Sequence, residues 1–412
     1  MEDKIVMNKR DFIPVILGTD TNMYGMAKSF HIQYGIKSIV VGKACLFLAK
    51  DSNIIDVKLF DRFDTQEVFL KALINVAESL SKEAKKLILI ASSDNYAELI
   101  VNNKEELEKY YSIPYISKDM MEKLIDKESF YKVCEEYGLD YPKTYICTKE
   151  TKDNVDLPFD YPIVLKPSDS VLYFETQFEG KKKAYIIESE KEYKRIVNTI
   201  YSTQYNKSLI VQEYIPGDDT CMRVLNCYVD KNSKVSMMCL GKVLLEDCTP
   251  TLVGNYVAIQ NDYNEDIFNK YKEFLEKLGY VGFANFDMKY DKRDNKYKVF
   301  EINIRQGRSS FFVTGCGNNL AKYLVEDLVY DRNIPTEIAN KEHLWLGVTK
   351  NLVLKYLDDP KLKENVKRLI KEKKYSFTLY YDKDSNLKRK LRVFSYYRSY
   401  NKTYKIHFKK KN

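Results

Sequence analysis

The sequence predicts an α/β protein with a parallel-sheet unit at the N-terminus, followed by a larger α+β unit built around antiparallel strands. Three observations predict it. Apolar runs of strand length alternate with helical stretches along the N-terminal quarter. The chain has 412 residues, and single cores stop growing near ~250 to 300 residues, so two or three structural units are expected. Further along, two charged strands flank a polar turn and carry opposed acidic residues, a pattern that suits a site better than a core.

The elements follow in order. Phe12-Ile-Pro-Val-Ile-Leu-Gly18 reads as a buried strand ending in glycine, with a helix starting over Tyr24 to Phe30. A strand at Ser38 to Val41, a helical stretch at Thr65 to Ala84 and a strand at Leu87 to Ala91 continue the alternation and define a parallel sheet. Ligands of such sheets sit at the C-terminal strand ends, which singles out Gly18-Thr-Asp-Thr-Asn22 and Ser92-Ser-Asp-Asn95; ordinary polar loops are an equal alternative. A second unit starts near Ser117, with Asp119 to Gly138 as helix and Asp140 to Ile146 as loop and strand. Strands at Tyr161 to Pro167, Leu209 to Ile215, Val281 to Tyr290 and Lys296 to Ile304 follow, separated by polar stretches that read as insertions.

Composition removes several classes. Hydrophobic residues at 44% and charged residues at 31% fit a globular chain. Met1 to Arg10 lacks the apolar core of a signal peptide, and the apolar runs have strand length, so no transmembrane segment is expected. Eight Cys are scattered without a CxxC pair, which favours reduced thiols in a cytoplasmic protein over disulfides or zinc. With three His, a His-based acid/base mechanism is a poor expectation. The net charge of +8 is uneven: Lys341 to Asn412 holds 21 Lys and Arg against 7 Asp and Glu.

The paired strands are Asn285-Phe-Asp-Met-Lys-Tyr-Asp291 and Tyr297-Lys-Val-Phe-Glu-Ile-Asn-Ile-Arg305. A hairpin symmetric about Asp294 sets Asp287 opposite Glu301, and strand alternation adds Asn303 and Arg305 to that face while Ile302 and Ile304 turn to the core. Opposed carboxylates destabilise a strand pair unless a cation lies between them. Two carboxylates and an amide oxygen are the hard ligands of Mg²⁺, with Arg305 as a fork for a carboxylate or phosphate. A solvated hairpin face is the alternative. Lys166 ends an apolar strand where it can reach a phosphate or simply snorkel to the surface. In Leu209-Ile-Val-Gln-Glu-Tyr-Ile-Pro-Gly217, Gln212 and backbone groups can meet an adenine edge, with an acid nearby for ribose; a plain strand and turn is equally compatible.

Taken in order, Ile125-Asp-Lys127, Pro162-Ile-Val-Leu-Lys166, Val211-Gln-Glu-Tyr-Ile-Pro-Gly217, Phe286-Asp287 and Phe300-Glu-Ile-Asn-Ile-Arg305 resemble the ATP-grasp superfamily. The resemblance implies a Rossmann-like substrate domain over 1–116 and a two-lobed ATP-grasp domain over 117–335 with nucleotide between the lobes. It also implies a lid about 143–208 and leaves a basic C-terminal extension over 336–412. By the same resemblance Lys127 and Lys166 contact phosphates, Gln212, Glu213, Tyr214 and Ile215 form the adenine connection, and Asp219 takes the ribose. Asp287, Glu301 and Asn303 would hold Mg²⁺. Arg305, with Lys166, would be catalytic, Arg305 stabilising the attack on an acyl phosphate; Arg308 is a second substrate contact. Pro167-Ser-Asp-Ser-Val-Leu-Tyr-Phe174 departs from the glycine-rich flap of many members.

From about Phe12 to Asn333 the chain also resembles bacterial D-aspartate ligases of peptidoglycan synthesis. That resemblance implies ATP-dependent ligation of the D-aspartate β-carboxylate to the lysine side-chain amine of the UDP-linked muramyl pentapeptide, with Asn22 and Tyr24 among the substrate-side residues. Another carboxylate-amine ligase, of dipeptide or D-alanine type, and a non-catalytic nucleotide-binding relic are the competing expectations. The tail from Lys361 alternates basic runs with Tyr and Phe; it reads as a strand pair, either a solvated surface or a contact for an anionic sugar nucleotide or membrane surface, with no motif for nucleic acid. A homodimer is left open.

Overall fold

The computed structural model describes residues 9–153, 156–250 and 252–409. Strand β1 (Arg10–Leu17) lies between β2 (Ser38–Gly42) and β4 (Ala84–Ala91), with β3 (Ile55–Leu59) at the edge beyond β2, all parallel. β1 is buried from Phe12 onward because both faces of the sheet are covered, which is why it reads as a continuous apolar run. β3 escaped the sequence reading: Ile55-Asp-Val-Lys-Leu59 mixes charged with apolar positions, as an edge strand can. The helix Thr21–Tyr34 begins earlier than expected, capped by the Asp20 side chain on the Met23 amide and closed by Gly35 at φ 67.

The helix expected over Asp119 to Gly138 is two, Lys118–Ile125 and Lys127–Glu136. Asp126 breaks it, with ψ at 121 and its carboxylate capping the Ser129 amide. The break places Lys127 at the first position of a new helix.

A second sheet is antiparallel in the order β5-β8-β6-β7, formed by β5 (Thr144–Cys147), β6 (Ile163–Pro167), β7 (Tyr185–Ile187) and β8 (Leu209–Glu213). The helix Glu190–Tyr201 covers it through Tyr193, Val197 and Tyr201, which pack on Ile163, Leu165 and Val211 in a core separate from the others.

The largest sheet has eight strands. Its path is β13-β12-β9-β10-β11-β15-β16, from β9 (Met222–Val229), β10 (Val235–Glu246), β11 (Tyr256–Asp262), β12 (Gly282–Asp291), β13 (Lys296–Asn303), β15 (Leu344–Leu346) and β16 (Tyr375–Phe377), with β14 (Glu337–Ile338) beside β10. The stretch read as insertions between Ile215 and Val281 is thus the middle of this sheet, and β9 and β10 are buried along nearly their whole length. Among the described residues no helix is long and apolar enough to cross a membrane. Among the described residues no cysteine forms a disulfide.

The basic tail is not a strand pair. It contains the helices Pro360–Lys371 and Leu387–His407, with one short strand between them. In the last helix Arg389, Val393, Tyr397, Tyr400 and Tyr404 are buried, at spacings of three and four that mark one helical face. Tyrosine favours strands in isolation; here burial against the sheet and the N-terminal helix decides. Tyr24 donates to Asp384 Oδ2 at 2.7 Å and lies under the Arg389 guanidinium, 4.2 Å from its ring centroid, and Arg389 Nε pairs with the same carboxylate at 3.2 Å.

Candidate active site

Strands β12 and β13 pair with Asp287 opposite Glu301 and Asn285 opposite Asn303. The expected symmetric turn is not the whole reason. The turn pairs Asp291 with Lys296, and an irregularity between Asp287 and Met288 shifts the register by one residue beyond it. Ile302 and Ile304 are buried, and Glu301, Asn303 and Arg305 share the opposite, accessible side.

On that side Asp287 Oδ1 accepts from the Tyr256 hydroxyl at 2.8 Å, and Asn303 Nδ2 spans Asn285 Oδ1 at 3.1 Å and Asp287 Oδ2 at 3.4 Å. Burial, then the charge of Glu301, pushes Asp287 up to about 7. Glu301 is held below its ordinary range by Lys127, Lys166, Lys183 and Arg305, against its own desolvation. Its side chain is 46% exposed and Lys127 Nζ stands 3.9 Å away, so a diffusing cation can reach it. The fit to Mg²⁺ rests on this geometry: hard oxygen donors face one another, and burial with mutual repulsion disfavours the charge on Asp287 until a cation balances it.

Lys166 ends β6 with its ammonium 5.8 Å from the Phe300 ring centroid. Desolvation, then the neighbouring Lys127, lowers it to about 7. Arg305 Nη2 donates to Asp94 Oδ2 at 2.9 Å and to Asn303 Oδ1 at 3.4 Å, joining the hairpin to the turn after β4, while its buried Nε has no hydrogen-bond partner. The structure thus brings Lys127, Lys166, Asp287, Glu301, Asn303 and Arg305 together. Lys183 and Tyr256 belong beside them and were missed, because a lysine in a run of three and a tyrosine among 34 carry no signal.

The connection after β8 is pinned. Buried Gln212 donates to the Tyr131 hydroxyl at 2.8 Å and to Thr144 Oγ1 at 2.9 Å, and Tyr131 in turn donates to the Phe300 carbonyl at 3.0 Å. Lys289 Nζ donates to the carbonyls of Ile215 and Gly217 at 2.8 and 2.7 Å and lies over the Tyr214 ring. Asp219 Oδ2 caps the Glu246 amide at 2.9 Å. Glu213 is engaged in an ionic cluster: Lys298 Nζ contacts Glu213 Oε1 at 2.9 Å and Asp291 Oδ2 at 2.8 Å, and Arg293 bridges the same two carboxylates.

Lys298, Glu213 and Asp291 are 9% exposed or less, so removing the Lys298 ammonium leaves two buried carboxylates sharing the more exposed Arg293. Lys298→Met is expected to lower stability by about 3 to 5 kcal/mol, read as a fall in melting temperature. Both carboxylates lie below their ordinary range, so their contribution is present above about pH 4 and is lost as pH falls through the acid range. An unchanged melting temperature for the variant would remove this cluster from the account of the connection.

The remaining expected residues lie elsewhere. Asn22 is buried, its amide donating to the carbonyls of Ser92 and Gln306 at 2.8 and 2.9 Å, where it ties the two turns behind Arg305. Tyr24 is fully buried with its hydroxyl on Asp384, outside the cluster. Arg308 faces a cavity bounded in part by Tyr256 and Tyr396. After Lys166 the chain forms a short helix, Ser170–Glu175, capped by Asp169.

Residues 124–309 match the model of the ATP-grasp domain family. The chain is 46% identical over 419 residues to the D-aspartate ligase of Enterococcus faecium (strain Aus0004), covering 98% of each. It is 26% identical over 303 residues to the D-alanine–D-alanine ligase of Wolbachia pipientis wMel, 67% of this chain and 88% of that one. In fold it is similar to the N5-carboxyaminoimidazole synthetase of Staphylococcus aureus complexed with ADP, with a TM-score of 0.57 at 14% identity, covering 83% of this chain and 81% of that one.

Proposed function

Because the chain belongs to the D-aspartate ligases of the ATP-grasp superfamily, enzymes that form carbon–nitrogen bonds, we propose that it joins the β-carboxylate of D-aspartate to the lysine side-chain amine of the UDP-linked muramyl pentapeptide. The observation that carries the chemistry is the Asp287–Glu301 pair in register, ringed by Lys127, Lys166 and Arg305. The full-length similarity to an enzyme named for D-aspartate carries the substrate.

In this reading residues 1–116 and 117–335 act as substrate and nucleotide domains, 336–412 completes the fold, and the enzyme works in the cytoplasm. Asp287, Glu301 and Asn303 would hold Mg²⁺. When bound, Mg²⁺ neutralises charge on the ATP phosphates as the γ-phosphoryl group leaves. Lys127 and Lys166 bind phosphate oxygens as point charges, and Gln212 to Ile215 with Asp219 seat the nucleoside. Arg305, held in place by Asp94, stabilises the negative charge that develops on the acyl oxygen as the amine attacks. The body over 143–208 closes on the nucleotide and excludes water that would hydrolyse the activated acid. Little acid/base machinery is needed, which agrees with the scarcity of histidine.

The test is phosphate release from Mg-ATP with D-aspartate, L-aspartate or D-alanine, each with and without the pentapeptide. Release that requires D-aspartate and pentapeptide together is expected. Release with D-alanine alone would replace the substrate and keep the ligase, and silence with every pair would overturn the acceptor.

A further inference from the structure

We infer that the C-terminal helix Leu387–His407 forms a wall of the acid-substrate pocket, where Arg308, Tyr396 and Tyr400 bind the substrate carboxylate that does not react. The inference rests on the dicarboxylic substrate of the preceding section and adds the residues that select it.

A cavity lies beside the hairpin face, bounded by Thr21, Tyr256, Arg308, Trp345, Tyr396 and Tyr400. Tyr256 connects it to the reacting centre, since its hydroxyl is bonded to Asp287 at 2.8 Å. The cavity measures about 20 Å³, room for one small polar group, so the non-reacting carboxylate alone would enter it, one side chain from the proposed metal-binding carboxylate. Arg308 stands three residues after Arg305, so a single loop sends one guanidinium to the hairpin face and another to the cavity.

Among the described residues Arg308 makes no ion pair, unlike other arginines around the site. Arg223, Arg293 and Arg305 each pair with a carboxylate within 2.9 Å. Among the described residues the contact found for Arg308 is a hydrogen bond from Nη2 to the Tyr396 hydroxyl at 3.3 Å. Asp20 and Asp247 are near enough to feel its charge, but neither makes an ion pair with it. The Tyr396 and Tyr400 hydroxyls are 3.2 Å apart, and Tyr400 is 6% exposed. A half-buried guanidinium whose contact is a long bond to a phenol is a forked donor set that a carboxylate satisfies better than the phenol does. An aminodicarboxylic acid brings one carboxylate to react and one to fill this set. A neutral amino acid would leave Arg308 desolvated without compensation, which is a basis for rejection.

The experiment measures phosphate release by full-length protein with the pentapeptide, varying D-aspartate, β-alanine, which keeps the reacting carboxylate and lacks the second one, or D-alanine. Arg308→Met is expected to raise the KM for D-aspartate about 10- to 100-fold, with the KM for ATP held and the preference for D-aspartate over β-alanine reduced. Tyr400→Phe should raise the same KM severalfold, Arg308→Lys should restore part of the loss, and Lys402→Ala on the exposed side of the helix should match wild type. Melting temperatures report folding; if Arg308→Met unfolds, Arg308→Lys and Tyr400→Phe decide. Wild-type KM values for D-aspartate in the folded variants would overturn the inference and leave the substrate reading standing. Wild-type protein that ignores D-aspartate and consumes D-alanine would overturn both.

Discussion

Asp287→Asn should abolish turnover, by about a thousandfold or more, and leave the ligand-free protein more stable than wild type at pH 8. The two effects have one cause. Asp287 faces Glu301 across the hairpin and sits partly buried under Tyr256, so its folded carboxyl rises to about 7 from an ordinary 3.8. A carboxyl whose pKa is higher folded than unfolded destabilises the fold progressively as pH rises from the unfolded value to the folded one, and fully above it. The amide removes that charge while its oxygen can still accept from Tyr256. The gain in melting temperature should therefore be small at pH 4 and largest at pH 8, and Mg-ATP should no longer add to it. Turnover near wild type would remove Asp287 from the metal set, and a lower melting temperature at pH 8 would show that the pair is not repulsive in the folded protein.

Lys166→Met is the second large effect, with an expected loss of about 100- to 1000-fold in kcat/KM for ATP. Desolvation is the main reason the Lys166 ammonium is lowered to about 7, and Lys127 adds to it. In the free protein Lys166 is then charged below about pH 7 and largely neutral above it. Phosphate oxygens favour the charged form, so nucleotide binding should take up a proton above pH 7, and affinity measured without turnover should fall as pH rises through that value. Calorimetry in buffers of different ionisation enthalpy reads the proton directly. The variant should lose both the uptake and the slope; a slope that survives in Lys166→Met belongs to another group.

Much of this site was legible in the chain because its parts are local. Two strands and a short turn bring Asp287 and Glu301 to the same place, with a one-residue irregularity that the sequence does not signal completing the register, and the apolar partners Ile302 and Ile304 orient the strand. Lys166 could be noticed because it stands at the end of an apolar run. Tyr256 and Lys183 could not, since their partners lie on other elements: Tyr256 meets Asp287, and Lys183, just before β7, acts on Glu301 in the other sheet. The central strands β9 and β10 were hidden for a related reason. Their burial comes from a sheet whose other strands arrive much later, and their alternation is blurred because both faces are covered.

The sequence by itself determined the α/β alternation of the N-terminal unit, the acidic hairpin and the order of motifs that marks an ATP-grasp ligase. These depend on side-chain period and on neighbours a few residues apart. Tertiary structure decided the rest. It turned the tyrosine-rich tail into a helix by offering it a face to pack on, it fixed Tyr24 to Asp384 as a structural contact, and it set Arg308 beside Tyr396 at the edge of a cavity. Whether a tyrosine packs or binds, and whether an arginine is neutralised, depends on groups hundreds of residues away that only the folded chain brings near.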